Sequence, residues 1–276
     1  ASSFSGDGSN LTGVSVTGNQ NVTSLNATGD ISAGSFYGDG SNLTGVSVTG
    51  DVNVTSLNAT GIITASSFSG DGSNLTGVSV TGDVNVTSLN ATGIITASSF
   101  SGDGSNLTGV SVTGDVNVTS LNATGDISAT SFYGGGSNLT GVLVSGDQKV
   151  TSLNATGDIS AGSFYGGGSN LTGVLVTGDQ NVTSLNATGD ISATSFYGGG
   201  SNLTGVLVTG DQNVTSLNAT GDISATSFYG GGSNLTGVLV SGDQKVTSLN
   251  ATGDISAGSF YGGGSNLTGV LVTGDQ

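Results

Sequence analysis

The residues able to do chemistry in this chain are few in kind and recur at fixed intervals. Asp is the only carboxylate, with 18 copies, Lys149 and Lys245 are the only basic side chains, and His and Cys are absent. Imidazole bases, thiol nucleophiles and the usual nitrogen and sulfur metal ligands are therefore missing, and the Asp residues follow the repeat instead of gathering in one place. No catalytic residue is assigned, and an enzyme is not expected. The segment Gly38-Asp39-Gly40-Ser41-Asn42 offers oxygen ligands of the kind calcium prefers. Its counterpart Gly134-Gly135-Gly136-Ser137-Asn138 lacks the carboxylate. The segment therefore reads as a glycine turn, with calcium only as an alternative; no cofactor and no metal site are expected.

Asn-X-Thr triplets, the acceptors of N-glycosylation, occur 23 times. They fall into three classes: Asn10, Asn42 and Asn74 before Leu-Thr, Asn53 and Asn85 before Val-Thr, and Asn58 and Asn90 before Ala-Thr. The same residues have a structural reading, because Asn forms turns and stacks into hydrogen-bonded ladders. A net charge of −16 repels phosphate backbones, so nucleic acid is not a partner. No apolar run nears the ~20 residues of a membrane span, and there is no basic amphipathic face to lie on a bilayer.

What must position these residues is the repeat. SNLTGV begins at Ser9, Ser41, Ser73, Ser105, Ser137, Ser169, Ser201, Ser233 and Ser265, each time at the same 32-residue interval. Residues 1–276 read as a single continuous array of about 8.6 repeats, a fragment of a longer chain. A gapless period predicts in-register stacking, because one inserted residue would turn every following strand position to the other face. Self-association, or further copies of the repeat in a longer chain, is the implied partner.

The 52 glycines exclude helix, while Val, Ile, Thr and Phe suit strands. Period-2 alternation points Val52 with Val54, Ile63 with Ala65, and Val78 with Val80 toward one interior. Three such segments per repeat predict an all-β, parallel β-solenoid with one three-faced coil per 32-residue repeat; the alternative is an intertwined homotrimeric fibre. Stacking at that period puts Val54 on Val86. It also makes one interior ladder of Phe4, Phe36, Phe68, Phe100, Phe132, Phe164, Phe196, Phe228 and Phe260, with Tyr133 outside. The Asp residues at 51, 83, 115, 147, 179, 211, 243 and 275 would form a column about 4.8 Å apart, each contact costing about 1 kcal/mol in water-like surroundings.

The GSNLTGV unit joined to segments such as TGDISATSFYG resembles the repeat shafts of bacteriophage and large-virus tail fibres and related bacterial fibrous surface proteins. That resemblance spans all 276 residues. It implies a non-enzymatic structural fibre or filament shaft, extracellular, at a cell or virion surface, that extends a distal domain or builds a filament. The competing reading is a binding module whose repeated surface engages glycans, calcium or ice, although the outward set Ser47, Thr49, Asp51, Asn53 and Thr55 lacks Thr-X-Thr rows.

Overall fold

The computed structural model describes residues 1–267 and 269–274; Asp275 lies outside them. It contains only strands and bends, with no helix among the described residues and hence none long and apolar enough to cross a membrane. The chain divides into two units, Ala1–Leu139 and Thr140–Gln276. Each is a parallel β-solenoid made by one chain winding on itself; among the described residues the long strands form nine rungs in the first unit and eight in the second, where the short strands form nine.

The coil is half the repeat. Residues 46–75 hold a short strand, Val46–Val48, a long one, Asp51–Ala59, a second short one, Ile63–Ala65, and a second long one, Ser67–Leu75. Short pairs with short and long with long: Val46 opposes Ile63, and Val52 opposes Phe68. Two coils therefore occupy each repeat, each with two strand-bearing sides. The expected single coil with three faces is corrected in number and in shape. Each coil closes within one chain, in place of the intertwined trimer.

The interior explains why the half-period is hard to see. Facing inward are Val52, Val54, Leu57 and Ala59 in one coil and Ile63, Ala65, Phe68, Gly72 and Leu75 in the next. The register sets unlike sizes against one another: Phe68 opposes Val52, Gly72 opposes Leu57, and Leu75 opposes Ala91. A Cβ on Gly72 would lie 2.7 Å from Leu75 Cδ1 and 2.9 Å from Leu89 Cδ1, so leucines of two coils fill the space it leaves. Large against small keeps the interior close-packed while hiding the coil period from a comparison of residue types.

Phe36, Phe68, Phe100, Phe132, Phe164, Phe196 and Phe228 are fully buried, while Phe260, in the last described coil, is partly exposed. They do not stack on one another. The first unit reads Phe36, Val52, Phe68, Val84, Phe100, Val116, Phe132, with Phe every second rung. Likewise Val54 and Val86, or Phe68 and Phe100, are two rungs apart, not neighbours.

The glycine-rich segment is not the turn that its composition predicts. It lies within the long strand as a bulge, where the register shifts between Ser69 and Asp71. Gly70 has φ +121° and Asn74 φ +58°, and a Cβ on Gly70 would meet the Val54 carbonyl oxygen. Only glycine tolerates that position, and Asn is the residue that most readily enters the left-handed region. Corners fall instead at Thr49-Gly50 and Thr60-Gly61, where Gly50 N–H donates to Gly34 O (2.6 Å) and Thr60 N–H to Leu43 O (2.9 Å).

Candidate functional surface

The half-repeat coil rearranges every outward column. Ser67 and Ser99 donate Oγ–H to Asp51 and Asp83 Oδ1 at 2.8 and 2.7 Å, so serine separates carboxylates that a one-coil repeat would set on adjacent rungs. The spacing between like charges doubles to about 9.6 Å, near the Debye length at physiological ionic strength, and the repulsion is largely screened.

Asp39, Asp71 and Asp103, the carboxylates with a calcium-like setting, serve the backbone. Asp71 Oδ1 accepts from Thr87 N–H (2.8 Å) and Ser88 N–H (2.9 Å) of the next coil, and Asp39 and Asp103 do the same. The bulge interrupts the ladder here, and the carboxylate takes up the two amides. In the second unit, where Gly replaces Asp, the ladder gains a pair: Gly166 opposes Val182, whereas in the first unit neither Gly102 nor Gly134 pairs in this way with Val118. No group of three or more metal-ligating side chains occurs among the described residues. We expect Asp71→Gly to destabilise the first unit by about 1–3 kcal/mol, the range for charged hydrogen bonds lost. Gly167→Asp should have the opposite sign, since Asp71 shows that the bulge takes a carboxylate there; a Cβ at Gly167 comes within 3.3 Å of Ser184 O, which must give by a few tenths of an ångström. Denaturant midpoints of the two variants moving in the same direction would refute this account.

Two of the three sequon classes share one column. Asn42 Nδ2 donates to Asn26 Oδ1 and Asn74 Nδ2 to Asn58 Oδ1, both at 2.8 Å, with Asn106 and Asn90 paired alike. Asn10, Asn42 and Asn74 are exposed but left-handed, and Asn58 and Asn90 are half-buried. Asn53 and Asn85 stand fully outward in a different column, Tyr37, Asn53, Ser69, Asn85, Ser101, Asn117, Tyr133. Alongside it an open groove of 540 Å³ crosses four coils, lined by Thr87, Asp103, Asn117, Thr119 and Tyr133. In the second unit the column reads Lys149, Tyr165, Asn181, Tyr197, Asn213, Tyr229, Lys245, Tyr261. Both lysines lie over tyrosine rings, Lys149 at 5.7 Å from the Tyr165 centroid and Lys245 at 5.9 Å from that of Tyr261, within cation–π range.

No family model, no curated protein and no solved structure matches this chain.

Two features escaped the sequence reading. Gln20, Gln148, Gln180, Gln212 and Gln244 are fully buried, at rungs where Val52, Val84 and Val116 sit in other copies, and neither atom of their amides finds a protein partner. No residue-type signal marks a glutamine as interior, but its alternation with Phe at the Val position does. Exposed leucines recur in the second unit: Leu143, Leu175, Leu207, Leu239 and Leu271 are 54–64% accessible. The parity of Val142-Leu143-Val144 already placed that leucine outward.

Proposed function

We propose that this chain is a structural shaft: a non-enzymatic spacer, deployed outside the cell or on a virion surface, whose task is to hold attached parts at a set distance. The observation that supports this most is the uninterrupted parallel stacking within each unit, two coils per 32-residue repeat with no inserted loop at any coil. A fold whose coils contact only their neighbours lengthens by adding repeats without rebuilding a core. The exact recurrence of residues 129–180 at 225–276, three repeats along, fits a part whose reach is adjusted in whole units. The scarcity of trypsin sites and the lack of Met, Cys and Trp suit long exposure outside the cell. The polar columns and the open groove leave glycan binding as the second reading.

The test is length. Versions of the chain with one or three repeats added or removed should change in long dimension by about 9.6 Å per repeat, twice the rise of a single rung. Small-angle scattering or electron microscopy measures this directly. No change in length would contradict the shaft, and a change of about 5 Å per repeat, the rise of a single rung, would contradict two coils per repeat. Surface exposure is tested separately, by trypsin cleavage at Lys149 or Lys245 on intact cells or particles.

A further inference from the structure

The outward position of the short strand carries Ser15, Ser32, Ser47, Thr64, Ser79, Thr96, Ser111 and Ser128 in the first unit. In the second unit the same column reads Leu143, Ser160, Leu175, Ser192, Leu207, Ser224, Leu239, Ser256, Leu271. The five leucines are more than half exposed. A single exposed leucine needs no explanation, but five in line on one face form an apolar stripe of the kind that marks an interface.

The flanks of the stripe say what fits it. One edge is a column of exposed Asp158, Asp190, Asp222 and Asp254, alternating with glycine. Between successive carboxylates lie hollows of 290, 310 and 300 Å³ at Gly173, Gly205 and Gly237, each also lined by the leucine of the same rung. The other edge carries exposed hydroxyls: Thr177, Thr194, Thr209, Thr226 and Ser241.

We propose that this face binds a second copy of the chain, side by side and parallel, about a two-fold axis running along the stack. That operation lays the Asp edge of one copy over the hydroxyl edge of the other at equal height. The second copy's Thr177, Thr209 and Ser241 then meet the hollows at Gly173, Gly205 and Gly237, where a hydroxyl can donate to a carboxylate, and leucine meets leucine. An antiparallel copy would instead set Asp on Asp. Nine rungs of about 4.8 Å by three outward columns about 6.6 Å apart give, with side-chain overhang, a footprint on the order of 600 Å². A stable interface uses about 800 Å² per partner, so this contact falls at the weaker, concentration-dependent end. The inference stands apart from the shaft reading, since a spacer works singly or paired.

The test uses the full chain in sedimentation equilibrium over a concentration series. The wild type should dimerise, and L175S/L207S/L239S should be monomeric with an unchanged β circular-dichroism spectrum. The first unit carries serine at the same strand position, so the fold accommodates it. A parallel L175T/L207T/L239T version keeps a strand-favouring residue and should also be monomeric. S160C, near one end of the stripe, should be joined to its own counterpart by a short bis-maleimide, which spans the roughly 10 Å between facing strands. A wild type that stays monomeric, or triple variants that dimerise as it does, would overturn the proposal. Dimers lost in both triple variants, but with no S160C cross-link, would overturn the parallel arrangement.

Discussion

Phe100→Ala is expected to destabilise the first unit by about 3–5 kcal/mol, the cost of removing a large aromatic side chain from a core that cannot collapse around the void. Phe100 is fully buried, with Val84 on one side and Val116 on the other. Neither neighbour can close the gap, because backbone hydrogen bonds fix the rung spacing at about 4.8 Å. Tyr37→Ala, in the outward column one residue beyond a ladder Phe, should cost well under half as much. Urea unfolding of the two variants decides it, and similar midpoints would mean that the Phe rungs are not the packing elements.

The second large effect has the opposite sign. Gln180, Gln212 and Gln244 each bury a primary amide with no protein partner. An unsatisfied buried polar group costs about 1–3 kcal/mol. Gln180→Met keeps the volume and shape and removes the donors and acceptor, so it should stabilise the second unit by about 1–3 kcal/mol. Gln180→Val, copying Val52, should gain less because it leaves some space unfilled. The rungs at 180, 212 and 244 are two coils apart, so a triple Met variant should sum the single effects. Destabilisation by Gln180→Met would show that the amide is engaged in the native state, and the interior would have to be re-read as polar at these rungs.

How much of this was open to a sequence reader depended on which physical rule governed each position. Alternation governed the strands, and Val52 with Val54, Ile63 with Ala65, and Val78 with Val80 all face inward as their parity requires. The gapless interval between repeats implied parallel stacking, and the closure of each coil within one chain, which the interval left open against an intertwined trimer, is settled by the pairing of neighbouring rungs. The coil period was obscured because Leu57 meets Gly72 and Val52 meets Phe68: complementary sizes, not similar ones, occupy neighbouring rungs. The glycine-rich run read as a turn because glycine usually is one. Here Gly70 lets the chain pass close to the Val54 carbonyl within a strand. The role of Asp71 was legible only once the bulge had exposed two amides for it to accept.

The alternation of unlike coils also governs how such a gene can change. Losing or gaining one coil, half a repeat, would set Phe beside Phe and Gly beside Gly at the junction, overfilling one interior column and emptying another. A change of one whole repeat restores the original neighbours. Recombination between repeats should therefore leave viable length variants only in steps of whole repeats, and the internal copy of residues 129–180 at 225–276 is displaced by three such steps. The interior acts as a reading frame for unequal crossing-over, passing even numbers of coils and rejecting odd ones.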